Sequence, residues 1–262
     1  MIAVMTGYFR DFLILFLVIL IHELGHALAA HSFKWRLVKV ELLPFGGVAE
    51  MDEYGNRPYR EEVIVTLAGP FQHLWMIAVG MVCLTFGLGD PFFFERFIAI
   101  NWMILIFNLL PIWPLDGGKL LFLVLTLWYP YKKAKSRMLV LSICLLGLFL
   151  SFSMILYSFH LNSLIILLFL LYAHYVEWKH QPYDYVRFLL ERMHEVGKSK
   201  KMKVLSVDPN MTVAEVLSRL YKGYEHEIHI RSSRPFICKE KEVLTAYFKQ
   251  SARTCAIQDL FR

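Results

Sequence analysis

The sequence predicts an all-helical, multi-pass membrane domain carrying a short membrane-associated β-hairpin or re-entrant loop, followed by a small C-terminal α/β domain. Two observations predict the membrane part. Of 262 residues, 57% are hydrophobic and only 19% charged, and the mean hydropathy is positive, a balance outside the range of soluble domains. The third observation is where the apolarity stops: beyond Trp178 the chain turns polar and charged. This divides it into a membrane-embedded part (1–178), an amphipathic linker (179–201) and a cytosolic domain (202–262). The formal net charge of +6 reads as membrane topology, because Lys and Arg collect on the cytoplasmic flanks of membrane helices. Nucleic-acid binding is excluded on the same ground.

The first apolar run, about 12–30, is close to the roughly twenty residues a membrane helix needs. It has no small-residue cleavage site ahead of polar sequence, so it is not a removable signal. Inside it lies His22-Glu23-Leu24-Gly25-His26. Residues four apart share a helix face, so His22 and His26 can hold one metal ion while Glu23, one step round, reaches a water bound to it. Zinc held by neutral imidazoles acidifies that water and polarises a carbonyl, with the carboxylate as general base. The spacing therefore reads as peptide-bond hydrolysis. In a soluble helix the two histidines could simply be solvated. At membrane depth each ionisable side chain costs on the order of 2.5–3.5 kcal/mol unless it is paired or lines a cavity, which favours the metal.

After it, 36–42 alternates well enough to suggest a strand, and Leu43-Pro44-Phe45-Gly46-Gly47-Val48 supplies a turn or re-entrant loop. The second apolar run, about 63–88, opens after Glu61 and Glu62, which suit a helix N-terminus. It contains Ala68-Gly69-Pro70, read as a kink or a tight helix contact, and then Gln72 and His73. The latter is read as a hydrogen-bonded core histidine in preference to a further ligand. A third run, about 97–128, is interrupted from Asn108 to Gly118 by two prolines and two glycines. Irregular backbone at membrane depth is tolerated only where it is buried in protein or lines a cavity. Asp116 inside this break is read as the third zinc ligand, leaving a fourth position for water; in a soluble chain it would equally suit a turn.

Runs at about 138–159 and 161–178 form a helical hairpin. Positive charge lies in the 31–62 loop, after the third run and at the start of the tail, three regions that five spans put on one side. That side is the cytoplasm, so the zinc site is reached from there. In the tail, 184–195 spaces Val186, Leu189, Leu190 and Met193 helically, and the basic stretch 198–201 reads as a flexible join. Beyond it come a strand at 204–207 and a helix at 212–221 capped by Thr212 with Glu215 three residues on. Strands near 227–230 and 236, a helix at 240–248 and an end segment at 257–261 complete the tail. His226 and His229 are expected to face solvent. Cys83, Cys144, Cys238 and Cys255 show no paired spacing and read as reduced and structural.

His22-Glu23-Leu24-Gly25-His26 in one membrane segment and Leu115-Asp116-Gly117 in a later, broken one resemble the site-2 protease family of intramembrane zinc metalloproteases. The loop at Pro44, the Ala68-Gly69-Pro70-Phe71-Gln72-His73 stretch, the Asn108–Gly118 stretch and the one-module tail are similar to its sporulation branch. The resemblance implies zinc on His22, His26 and Asp116, with Glu23 activating water. It implies that Asn108, Pro44, Phe45, Gly46 and Gly47 engage substrate, held extended so that its peptide bond is exposed. The implied substrate is a membrane-associated sigma-factor precursor, cut in the mother-cell membrane surrounding the forespore of a sporulating bacterium, with membrane-protein inhibitors as further partners. The tail resembles a single cystathionine-β-synthase-type (CBS) module associated with ATP; one copy implies a homo-oligomer. Family members usually carry another membrane helix before the histidine-bearing one, where this sequence has about ten residues. Two rivals are a zinc-binding membrane transporter and an inactive regulatory scaffold. Polar membrane residues confined to the first three runs weigh against the former, and the presence of Glu23 against the latter.

Overall fold

A computed structural model of the chain describes residues 9–35, 37–43, 46–51, 57–156, 161–194, 201–231, 236–249 and 254–260. It falls into two compact units, one drawn from 1–53, 60–121 and 142–173, the other from 54–59, 122–141 and 174–262.

In the first unit, α1 (Phe9–Ser32) buries Ile14, Val18, His22, Gly25, His26 and Ala30, a stripe repeating every three or four residues as a one-sided helix requires. Its other faces expose Leu13, Leu17, Leu24 and Leu28. Apolar side chains all round a helix are what lipid, rather than water, selects. The backbone then pairs β1 (Leu37–Leu43) antiparallel with β2 (Gly46–Met51), from Leu43 opposite Gly46 outwards. The expected strand is thus β1, and Gly46, Gly47 and Val48, expected in a turn or re-entrant loop, belong to its partner strand. Pro44 and Phe45, expected to contact substrate, lie outside the described residues, whereas Gly46 and Gly47 open β2.

Helices α2 (Tyr59–Thr85) and α3 (Pro91–Asn108) complete a core with α1 in which Ile14, Val18, Met76, Ile100 and Ile104 are buried together. Asp90 caps α3 by accepting from the Phe92 N–H at 3.1 Å, and Pro91 fills the first turn, where its missing N–H costs nothing. That cap explains why α3 starts six residues before the apolar run expected from residue 97. The run is broken where its prolines and glycines predict, and α4 (Asp116–Trp128) begins afresh after the break. Helix α5 (Tyr131–Leu156) follows, and then α6 (Leu161–His194), which continues unbroken past Trp178. Among the described residues four helices are long and apolar enough to cross a membrane: α1, α2, α3 and the 131–151 part of α5. The expected fifth span falls on the first half of α6, where the side chains of 161–163 lie outside the described residues.

The second unit holds a three-stranded sheet in which β4 (Glu225–Ile230) pairs in parallel with β3 (Met202–Val207) and antiparallel with β5 (Phe236–Lys239). Parallel neighbours need a crossover, and α7 (Val213–Leu217) lies in it. Thr212 and Glu215 cap that helix reciprocally: the Glu215 N–H donates to Thr212 Oγ1 at 3.2 Å and the Thr212 N–H to Glu215 Oε2 at 2.9 Å. This is the arrangement their spacing predicts. After β5 the chain turns into α8 (Glu240–Lys249) and ends in a 3₁₀ turn at Ile257–Leu260. Phe188 and Leu189 of α6, with Tyr131, share the buried core of this unit with Val213, Leu217, Ile228 and Leu244. The helical stripe expected in 184–195 is therefore set differently. Met193 packs on this core, but Val186 and Leu190 are both 37% exposed, because the bulkier Phe188 takes the inward position and stacks on Tyr131 at 4.1 Å between ring centroids.

His226 overturns its expectation of solvent exposure. It shares the inward face of β4 with Ile228 and Ile230 and is 1% exposed, whereas His229, on the opposite face, remains half-buried. A partner makes the burial tolerable. His226 Nδ1 lies 2.9 Å from Glu240 Oε2, and its Nε2 accepts from the Tyr221 N–H at 3.2 Å. Arg192 of α6 completes the cluster with two contacts to the same carboxylate, Nη2 to Oε2 at 2.7 Å and a closer Nε–Oε1 contact. Burial pushes the Glu240 carboxyl up, but the hydrogen bonds from His226 and Arg192 outweigh it and hold it below the usual glutamate range. All four cysteines are free; Cys238 is buried, Cys83 half-buried, and Cys144 and Cys255 exposed.

A carboxyl held below its unfolded value stabilises the fold above that unfolded value, and the contribution is lost as pH falls through the lower, folded value. Hydrogen-exchange protection of 201–249 in the full-length protein, taken relative to the intrinsic exchange rate at each pH, should therefore fall as pH drops below the ordinary range of glutamate. Glu240→Gln should remove this acid sensitivity and, by leaving Arg192 buried without its counter-charge, destabilise the second unit by roughly 3 kcal/mol.

Candidate active site

The break between α3 and α4 is a folded turn with its own hydrogen bonds. Ile112 N–H donates to Leu110 O at 2.7 Å, Leu115 N–H to Ile112 O at 2.9 Å, and Trp113 N–H to the buried Ser142 hydroxyl at 2.7 Å. Each satisfies a donor that apolar surroundings would penalise. Gly117 makes the close packing possible, since a Cβ there would sit 2.2 Å from the Leu109 carbonyl oxygen. The result places Asp116 in the first turn of α4, 4% exposed, where the helix dipole favours a carboxylate.

Asp116 meets the two histidines of α1. His22 Nε2 and His26 Nε2 lie 3.2 Å apart, and Asp116 Oδ2 is 3.2 Å from the former and 3.1 Å from the latter. Among the described residues these three form the one cluster able to hold a metal ion. A tetrahedral zinc with bonds of about 2.0–2.1 Å sets its ligand atoms about 3.3–3.4 Å apart, so the spacing fits. So does the chemistry of the donor set. His26 Nδ1 is 2.8 Å from the Val65 carbonyl oxygen, which can only accept; the ring proton therefore sits on Nδ1 and leaves Nε2 with a bare lone pair. The other oxygen of Asp116, Oδ1, is 3.6 Å from Lys119 Nζ.

The histidines are reached across a backbone-close crossing of α1 and α2. A Cβ on Gly69 would stand 2.2 Å from His26 Nε2 and 2.7 Å from His22 Cε1, and one on Gly25 would meet the Ala68 carbonyl oxygen at 2.6 Å. Small residues are what let membrane helices approach this far, and the Ala68-Gly69-Pro70 stretch is here the tight contact rather than a break in α2.

Glu23 is 8% exposed, on the turn of α1 that carries His22 and His26. Asn108 ends α3, half-buried, and is not among the three clustered residues. His73 is fully buried, with Nε2 3.0 Å from His22 Nδ1 and Nδ1 3.0 Å from Asn101 Oδ1. Asn101 was missed by reading the sequence. Its signal was available, as an amide in the middle of an apolar run must find a partner.

Against known families, residues 11–93 and 86–152 match peptidase family M50. The chain belongs to peptidase family M50. Its site-2 protease character shows in individual relatives. The chain is 38% identical over 263 residues to the stage IV sporulation protein FB of Bacillus subtilis (strain 168), covering 98% of this chain and 91% of that protein. It is 35% identical over 130 residues to a zinc metalloprotease of Methanocaldococcus jannaschii, covering 47% of this chain and 36% of that one. Among solved structures, a site-2 protease from Methanocaldococcus jannaschii superposes with a TM-score of 0.55 at 28% identity, covering 67% of this chain and 82% of that one. As an M50 member with four such helices, the protein is an integral membrane, zinc-dependent protease.

Gly69→Ala tests the crossing. The added methyl has nowhere to go except against the imidazoles, so zinc binding should weaken by roughly 10- to 100-fold, read by chelator competition on the detergent-purified protein.

Proposed function

We propose that the chain is an intramembrane endopeptidase in which His22, His26 and Asp116 hold zinc and Glu23 is the general base. The observation that carries this reading is the convergence of His22 Nε2, His26 Nε2 and Asp116 Oδ2, all within 3.2 Å of one another, with a buried carboxylate on the same helical turn. Zinc there supplies an acidified water and a Lewis acid for the scissile carbonyl. Glu23 takes a proton from the attacking water and returns it to the leaving amide nitrogen. Asn108 donates to the oxyanion that develops on the former carbonyl.

Substrate is held extended beside the β1–β2 hairpin, with Pro44, Phe45, Gly46 and Gly47 in contact. The antiparallel pairing up to Gly46 supports this, since a hairpin edge offers the backbone groups that an unwound segment needs. By similarity to the sporulation protein of Bacillus subtilis, the substrate is a membrane-associated sigma-factor precursor cut in the mother-cell membrane around the forespore, under the control of membrane-protein inhibitors. Positive charge at 31–62, 132–137 and after Trp178 supports access from the cytoplasm. The division into 1–178, 179–201 and 202–262, with a single CBS-like module at the end, belongs to the same reading. The strand–helix–strand–strand–helix order of β3, α7, β4, β5 and α8 supports the module; ATP there and homo-oligomers rest on the family resemblance alone. Membership of a peptidase family sets aside the transporter.

Zinc content and cleavage of a candidate precursor, measured on detergent-purified protein, test the roles. Glu23→Gln should keep zinc and lose cleavage by at least about 100-fold, and Asp116→Ala should lose zinc. Cleavage by Glu23→Gln at the wild-type rate would falsify the general-base role, and retention of zinc by Asp116→Ala would remove that residue from the ligand set.

A further inference from the structure

Three side chains from three helices, Asn101, His73 and His22, form one line of hydrogen bonds behind the candidate zinc site, and each member dictates the proton of the next. Asn101 Nδ2 donates to the Phe97 carbonyl oxygen at 2.9 Å, which fixes the amide so that Oδ1 is the atom 3.0 Å from His73 Nδ1. An amide oxygen only accepts, so His73 carries its proton on Nδ1. A neutral imidazole has one such proton, and His73 Nε2 is therefore an acceptor. His22 Nδ1, 3.0 Å away, has to be the donor. The remaining ring nitrogen of His22, Nε2, is then the proton-free atom that faces His26 Nε2 and Asp116 Oδ2.

We infer that His73 and Asn101 are positioning residues for the metal centre: they set the tautomer and ring orientation of His22 so that its Nε2 lone pair points at the metal. Neither is one of the three clustered residues, and His73 reaches them through His22. Burial makes the line obligatory, because His73 and Asn101 are fully buried and His22 is 4% exposed, so no water replaces a lost partner at low cost. The two ligating histidines are oriented by different means. A main-chain carbonyl, which no side-chain substitution removes, holds His26, whereas His22 depends on side chains of α2 and α3. Without His73, the His22 proton is free to sit on Nε2, in the centre of the cluster, where it blocks ligation. The inference rests on the proposed ligand set, and the experiment separates the two.

Zinc affinity by chelator competition and the visible spectrum of the cobalt(II)-loaded protein are measured on detergent-purified full-length wild type, His73→Met, His73→Gln, Asn101→Leu and His22→Ala. His73→Met fills the space without an acceptor and should weaken zinc binding 10- to 100-fold with an altered cobalt spectrum. His73→Gln offers a carbonyl oxygen to His22 Nδ1 and should recover most of the affinity and the wild-type spectrum. Asn101→Leu leaves His73 free to take either tautomer and should fall between wild type and His73→Met. Wild-type affinity in His73→Met overturns the inference, as does an equal loss in His73→Met and His73→Gln, which packing alone would produce. Should His73→Met not fold, Asn101→Leu decides: weakened binding supports the relay and wild-type binding overturns it. Loss of zinc in His22→Ala with none in His73→Met defeats the relay and leaves the ligand set intact; wild-type zinc in His22→Ala removes the ligand set itself.

Discussion

Three lone-pair atoms brought within 3.2 Å of one another in the protein interior are the constraint around which the first unit is arranged. Such atoms repel unless a cation or shared protons lie between them, and at low dielectric the repulsion is strong. Many local features of the unit answer to this requirement. Helices α1 and α2 cross with backbone almost in contact, because a side chain at Gly69 would occupy the space of the imidazoles and one at Gly25 would meet the Ala68 carbonyl. The α3–α4 break brings Asp116 in from the start of a helix rather than from its middle. The turn's own hydrogen bonds, including that from Trp113 to Ser142, make irregular backbone tolerable away from water.

The second unit obeys a different economy. Its core is a small sheet closed by α7 and α8 and by one end of a long helix, with Phe188 and Leu189 of α6 as buried as any strand residue. About sixty residues is a marginal size for independent folding, and borrowing a helical face enlarges the core. The Arg192–Glu240–His226 cluster adds orientation to this contact. Each member satisfies the others, with Arg192 also donating to the carbonyls of Tyr221 and Tyr224, so charge is buried without an unpaired group.

How much of this was legible beforehand depended on the range of the interaction. His22, Glu23 and His26 are a local pattern, and the helix that carries them needs only apolar length. The capping box at Thr212 and Glu215 is likewise contained within four residues. The first strand of the hairpin was legible from its alternation, whereas β2 (Gly46–Met51) begins inside the stretch read as a turn or re-entrant loop. His226 was misjudged because alternation along a strand tells which residues share a face but not which face is covered, and the covering residues Arg192 and Glu240 lie 48 residues apart in different helices. The 184–195 stripe was misaligned for a related reason: Val186 and Phe188 are both apolar, and only the presence of Tyr131 opposite selects the aromatic one.

By itself the sequence determined that this is a multi-pass membrane protein with a two-histidine, one-glutamate motif in its first long apolar helix, an aspartate in a proline- and glycine-broken segment, and a polar α/β tail. These are consequences of composition, periodicity and short-range chemistry. Only the tertiary structure decided that His22, His26 and Asp116 meet within hydrogen-bonding distance, that Gly69 makes room for them, and that Asn101 and His73 dictate where the His22 proton sits. Tautomer and ring orientation belong to contacts between α1, α2 and α3, whose members lie 28 and 51 residues apart in the chain. No local pattern encodes such distances; they follow from how the helices pack.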